Sequence, residues 1–488
     1  MNEPAGARYR EVEAGYFEQR GLRRYARVGS LWALGVGAVI SGDFFGWNFG
    51  LGAGGFGGLL LATLVITVLY AGLCFSVAEM AAALPHTGGA YSFARSAFGP
   101  WGAYVTGLAE NMEYILTPAV IVVGIGGYLG AIFGTPAAFA PLWWLGAYAL
   151  FVGLNIAGVE TSLRFTVAIT LLALAILLVF WAVALPRFEL AQALDVTPDA
   201  GASRWLPRGW SGVLGALPFA IWFYLGIEQL PLAAEEAHAP ERDLPRGILL
   251  GLATLVLCSF LTLVASVGIA PGAATLARAE EPLYDGLQSL LGAGLGSRAL
   301  ALLAVAGLVA SFHAIIFAYG RQIYSLSRAG YFPRWLSLTH ATRRTPVAAL
   351  LAGAALGYAV ALAIFLLGPK HPVGAVLLNM TVFGAVLSYG LQMAAFIRLR
   401  RLLPAIARPY RSPLGVPGAG LALALSALTL HALFTSDPIY RGVVIGALIW
   451  YALGLAWFAL VGRRQLVLSP EERFALAARS EAKRSEVH

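Results

Sequence analysis

The sequence predicts an all-α integral membrane protein with about twelve transmembrane helices. Composition, the length of the apolar runs and the placement of basic residues carry that expectation. Of 488 residues, 59% are hydrophobic and 12% charged, with mean hydropathy +0.75. A soluble chain carries about 25% charged residues, so too little polar surface remains to cover this one in water. A hydrocarbon core about 30 Å thick needs about 20 apolar residues per crossing helix. Twelve runs fit, centred near residues 43, 70, 117, 148, 174, 223, 258, 310, 356, 386, 424 and 450. They read as helices because a barrel strand alternates with period two and these runs do not.

The net charge of +8 is distributed as a topology signal. With the N-terminus inside, 26 of the 33 Lys and Arg fall in the two tails and the loops of that side, and 7 on the other. This is the positive-inside pattern, and it argues against a nucleic-acid partner. The basic loops Arg398–Arg411 and Arg321–Arg344 also suit membrane lipids with anionic headgroups. The expected location is the cell inner (cytoplasmic) membrane, multi-pass, with both termini cytoplasmic. Residues 1–29 hold no short apolar segment ending at a cleavage site, so the first span is the expected insertion signal. The two cysteines, Cys74 and Cys258, lie inside apolar runs and imply no disulfide framework. Neither a metal cluster, a nucleophile elbow nor a dinucleotide loop is visible, so no cofactor and no enzyme is expected.

Along the chain the expected order is a cytoplasmic tail (1–29), spans 1–5 (30–185), spans 6–10 with loops (211–412), spans 11–12 (413–465) and a cytoplasmic tail (466–488). Spans 1 and 6 differ from the rest. The first, Leu31 to Leu51, holds Gly35, Gly37, Gly42, Gly46 and Gly50 around an acidic residue, Asp43. The sixth, Ser211 to Leu232, holds Pro218, Gly226 and Pro231 around Glu228. Glycine and proline are poor helix formers, so both spans are expected to break in mid-membrane. Glycines also serve close helix packing, but two interrupted spans five helices apart, each with a carboxylate, point to an inverted 5+5 repeat. Broken helices expose N-termini and free carbonyls that bind anions and cations respectively.

The chain resembles the amino acid–polyamine–organocation transporters. Phe223-Tyr224-Leu225-Gly226-Ile227-Glu228 is similar to that family's aromatic–x–Gly–x–Glu break. Ala234-Glu235-Glu236 followed by Pro240-Glu241-Arg242-Asp243-Leu244-Pro245-Arg246 resembles its next loop, with Ala239 in place of Asn. Glu79 with Pro85, Gly88, Gly89 and Tyr91 resembles the element after span 2, and Arg328-x-Gly330-x-x-Pro333 the one after span 8. The resemblance implies a LeuT-like fold with discontinuous helices 1 and 6. Within the family, Val39-Ile40-Ser41-Gly42-Asp43-Phe44-Phe45-Gly46-Trp47-Asn48-Phe49-Gly50-Leu51 looks most like the ethanolamine permease branch. The usual Gly-Ser/Thr-Gly break is absent. The break falls either at Ser41–Asp43 or at Phe45–Asn48, and the second is preferred.

Asp43 stands out first, because a carboxylate at the bilayer centre costs at least about 2.5–3.5 kcal/mol and needs a partner. It is read as a counter-charge for a substrate ammonium, against the alternative that it caps the second half-helix. Gly46 and Asn48 at the break join it as substrate-binding candidates. The resemblance places Glu113 and Tyr114 of span 3 at the pocket. Glu110 and Glu113 share a helix face, and two like charges that close disfavour double ionisation, so a coupling proton can enter here. Trp222 is a candidate gate and cation–π contact, and Tyr224 a substrate contact. Gating or proton-coupling candidates are Glu110, Glu228, His313 and Phe317. A hydrogen-bonded structural role is the competing reading for His313, and packing for the aromatics.

The expected function is a secondary-active or potential-driven permease importing a small organic cation, ethanolamine by preference, by alternating access. The partner is thus a small-molecule amine. An amino acid or polyamine transporter of the same superfamily, proton-coupled or exchanging, is the alternative. A membrane-embedded enzyme or receptor is the more distant one. The sequence does not encode the oligomeric state.

Overall fold

The computed structural model describes residues 6–470 apart from 293–294, 369–370 and 436–438, together with 473 and 477. The tail expected at 466–488 therefore lies largely outside the described residues. The first half of the chain forms α1 (Val28–Val39), α2 (Ser41–Phe44), α3 (Phe49–Ala83), α4 (Gly89–Phe133), α5 (Ala140–Ala157) and α6 (Val159–Ala184). The second forms α7 (Gly209–Ala220), α8 (Pro240–Val267), α9 (Pro282–Leu291), α10 (Leu295–Arg328), α11 (Val347–Leu367), α12 (Val373–Leu402), α13 (Gly415–Thr435) and α14 (Ile439–Leu460). Among the described residues extended pairing is limited to two isolated bridges, Tyr9 with Leu466 and Ala26 with Ala237. Helix dominates for the reason given by the composition: in lipid a segment must satisfy its own backbone.

Among the described residues, ten helical segments are long and apolar enough to cross a membrane. The two other expected spans correspond to Val28–Phe44, apolar but shorter, and to the 34-residue α10. Burial orders them from centre to rim. The apolar stretch of Gly209–Glu236 is 78% buried and that of α4 72%, whereas that of the last helix is 17%. Leucines such as Leu366 (73% exposed) and Leu453 (69% exposed) therefore face outward, which an apolar solvent accepts. The segments around residues 8–10 and 463–466 share one face of the bundle: Arg8 N–H donates to Arg463 O at 2.8 Å and Arg10 N–H to Leu466 O at 2.8 Å. That face is called the terminal face below.

The interruption of the first span has a side-chain cause. Ser311 of α10 inserts its hydroxyl into the helical ladder, donating to Gly37 O at 2.9 Å and accepting from Ser41 N–H at 3.0 Å. A hydroxyl wedged between partners four residues apart bends a helix. Four residues later the backbone leaves the helix entirely, with Phe45 extended (φ −160°, ψ 170°) and Gly46 at φ +93°, a conformation that favours glycine. The chain resumes as α3 at Phe49 and turns again at Gly55, so residues 49–54 continue the first span and the remainder forms the second. The sixth region breaks similarly: α7 tightens into a 3-10 turn at Ile221–Phe223, opens at Tyr224–Gly226 and continues as a 3-10 segment, Ile227–Glu236.

Candidate substrate site at the two helix breaks

The two breaks touch. A Cβ on Gly42 would stand 1.8 Å from the Trp222 carbonyl oxygen, and one on Gly46 would stand 3.0 Å from the Trp222 ring. The backbones of the two breaks thus approach closer than any side chain would permit. Aromatics seal the junction, Phe45 against Trp222 at 5.8 Å and Trp47 stacked on Phe223 at 5.5 Å.

Asp43 sits in α2, fully buried, and neither carboxylate oxygen has a hydrogen-bond partner. The Thr262 hydroxyl of α8 approaches it without completing a hydrogen bond, and its oxygen accepts from Trp181 Nε1 at 3.2 Å. Tyr224 and Cys258 are in electrostatic reach. The Tyr224 hydroxyl bonds to Thr67 (2.6 Å) and Ser259 (2.8 Å), and its ring stacks on Tyr70 at 4.9 Å. The Tyr70 hydroxyl in turn meets that of Tyr389 at 2.9 Å.

A second acidic locus lies on the other side of that stack. One Glu228 oxygen accepts the Gly226 N–H at 3.2 Å, bonding back to the opened turn, and the other is unpartnered. Glu113 of α4 is buried with both oxygens unpartnered and faces the Glu228 carboxyl. Glu113 and Glu228 are in reach of Tyr70 and Tyr389, and with Glu110 of Tyr114, whose hydroxyl is also unpartnered. Glu110 is the member with a fixed neighbour, accepting Gln322 Nε2 at 2.7 Å.

Other sequence candidates are placed differently. Asn48 accepts the Gly46 N–H at 3.1 Å and donates to Leu276 O (2.7 Å) and Ala279 O (2.8 Å), so its amide is used in fastening the break to the loop before α9. His313 is held by Asn155 (3.3 Å) and Ser162 (3.1 Å) between the rings of Phe151 and Phe165, and the structure does not bring it to the breaks. Phe317 lies beneath the Arg321 guanidinium, 3.5 Å from it, nearer the terminal face. Thr67, Tyr70, Ser259, Thr262 and Tyr389 were missed from the sequence. Their only signal there is a polar group in an otherwise apolar span. Among the described residues no group of three His, Cys, Asp or Glu is arranged to hold a metal.

Outside the spans, one carboxyl titrates near neutrality. Glu281 precedes α9, and burial raises it from 4.5 to about 7, against a hydrogen bond from Tyr128 and with help from Asp285 and Glu280. The folded protein holds this proton more tightly than an unfolded chain, so its contribution to stability is full below pH 4.5 and is lost as pH rises to about 7. Melting temperature is expected to fall between pH 5.5 and 8, and Glu281→Gln to flatten part of that slope. A thermal-shift series on both proteins measures it.

The family profile described as amino acid permease matches residues 28–460. The chain belongs to the amino acid permease family. This permease is 34% identical over 339 residues to an uncharacterised transporter of Rhizobium meliloti, covering 68% of this chain and 70% of the relative. It is 27% identical to the branched-chain amino acid permease BcaP of Bacillus subtilis, over 92% and 96% of the two chains. It is 24% identical to the methylthioribose transporter of the same organism, over 93% and 96%. The permease is therefore a multi-pass membrane transporter and not an enzyme. The two named cargoes, one zwitterionic and one a sugar derivative, differ enough that membership leaves the substrate open.

Proposed function

We propose that this permease imports a small organic cation, ethanolamine by preference, by alternating access, with Asp43 as the counter-charge for its ammonium. The supporting observation is electrostatic. Asp43, Glu110, Glu113 and Glu228 are buried, and among the described residues none of them forms an ion pair. A buried carboxyl ionises most readily when a cation enters beside it, so this interior favours an ammonium over a carboxylate and suits an amino alcohol better than an amino acid. Trp222 and Tyr224 supply ring faces beside the charge, where a desolvated cation gains up to about 2 kcal/mol. Glu113 and Tyr114 of α4 belong to the second acidic locus, across the Tyr70–Tyr224 stack. Glu228 and Glu110 are the positions for a coupling proton, since carboxyls facing each other in an apolar medium resist joint ionisation.

The reading includes a twelve-span, 5+5 inverted arrangement in the inner membrane with both termini cytoplasmic. An inside-negative potential then supplies about 2.3 kcal/mol per 100 mV for a monovalent cation, which supports about fiftyfold accumulation without a coupled ion. In proteoliposomes, radiolabelled ethanolamine uptake is expected to rise with an imposed inside-negative potential and to resist competition by alanine or arginine. A second reading, an amino acid carrier, is favoured by the name of the near-full-length Bacillus subtilis relative. Efficient competition by those amino acids, with no ethanolamine uptake, would establish it instead.

A further inference from the structure

The terminal face is closed by two layers, and the N-terminal segment is the outer one. The inner layer is a pair of ion pairs between the end of the 3-10 segment and α10. Glu236 meets Arg321 at 2.8 and 3.1 Å, with both side chains wholly buried. Glu235 meets Arg328 at 2.8 Å through a second, bidentate contact. A carrier that alternates must separate these two elements to release cargo on this face.

The segment Tyr16–Ala26 crosses that seam and is fastened on both sides of it. At one end the N–H groups of Tyr25 and Ala26 both donate to Glu236 O at 2.7 Å, and His238 N–H returns a bond to Ala26 O at 3.0 Å. At the other end Arg20 is buried against the loop after α10, at 7% exposure. Its Nε donates to Ser337 Oγ at 2.9 Å, its Nη2 to Arg334 O at 3.3 Å and its Nη1 to Tyr16 O at 3.0 Å. The guanidinium also lies 3.7 Å from the Tyr16 ring centre. From α10, Tyr324 OH donates to Arg20 O, while Tyr16 OH donates to Arg328 O at 3.0 Å. Thr339 reaches Gln19 O at 2.8 Å.

We infer that Tyr16–Ala26 is a latch across the terminal-face gate, with Arg20 as the pin that must leave the Arg334–Ser337 turn before the face can open. One end of the segment pairs with the broken sixth span and continues directly into α1, while the other is held by α10 and its loop. The two anchorages belong to the elements that part when the gate opens, so both cannot survive opening. A planar, five-donor guanidinium suits such a pin, because it holds several carbonyl and hydroxyl acceptors in one fixed geometry. This inference rests on the alternating-access part of the proposal above and on no choice of substrate.

The test is cysteine labelling of the full-length protein in nanodiscs, needing no transport. Ala233, buried on the 3-10 segment behind the ion pairs, is replaced by cysteine, and a hydrophilic maleimide is added. Native Cys74, buried in α3, serves as an internal control by site-resolved mass spectrometry. Arg20→Ala is expected to raise the labelling rate at position 233 at least fivefold with Cys74 unchanged, and Arg20→Lys to fall between. If Arg20→Ala does not yield folded protein, Ser337→Ala removes one anchor of the pin and carries the same test with a smaller rise. Labelling within twofold of the parent, or an equal rise at Cys74, would overturn the latch.

Discussion

Asp43→Asn is expected to abolish uptake of radiolabelled ethanolamine while the protein remains folded. The substitution keeps shape and removes charge. In a desolvated site, truncating one partner of a charge pair costs about 2–5 kcal/mol, which corresponds to a loss of about thirtyfold to several thousandfold in apparent affinity. The same change removes a carboxylate that is buried without a hydrogen-bond partner, so stability should hold or rise. Loss of uptake with an unchanged or higher melting temperature is thus the expected pair of results. Undiminished uptake would end the counter-ion reading and return attention to Glu113 and Glu228. Both outcomes leave family membership untouched, because that rests on the match over residues 28–460.

Gly42→Ala is expected to prevent folding or to lower stability on the order of 3 kcal/mol or more, at or beyond the usual overpacking range. The added methyl would lie 1.8 Å from the Trp222 oxygen and 2.6 Å from its carbonyl carbon. Both contacts are backbone, so no side-chain rotation relieves them, and the two breaks would have to move apart. Gly146→Ala in α5 is the control, since a Cβ there meets nothing within 4 Å and alanine is the better helix former by about 1 kcal/mol. Size-exclusion profiles and melting curves of the two variants should diverge sharply. A monodisperse, equally stable Gly42→Ala protein would show that the two breaks do not pack backbone to backbone.

The two spans marked by glycine, proline and a carboxylate are legible in the sequence, because interruption of a helix is a local property of residue type. The structure breaks the first span at Phe45–Asn48, the preferred alternative, and adds a bend at Ile40 that no local residue pattern announces. That bend is made by Ser311, 270 positions away, and a long-range side-chain insertion leaves no local trace. Asn48 and His313 illustrate the opposite case. Each looked chemically interesting as a polar group in an apolar run, yet their partners, the carbonyls before α9 and the Asn155–Ser162 pair, are supplied by distant segments. Residue type alone cannot distinguish a polar group satisfied by the fold from one left open for a ligand.

Composition and charge placement by themselves determined that this chain lives in lipid as a bundle of helices and that two spans are broken. Those are one-dimensional properties, set by how much apolar length the chain has and where glycine and proline interrupt it. Tertiary structure alone decided that the acidic residues form two loci joined by the Tyr70–Tyr224 stack, and that Asp43 and Glu113 are left without partners. It alone decided that Arg20, one of six basic residues in a polar tail, is buried against the loop after α10. Each of these depends on which segments meet in space, and pairing among side chains hundreds of residues apart is a property of packing.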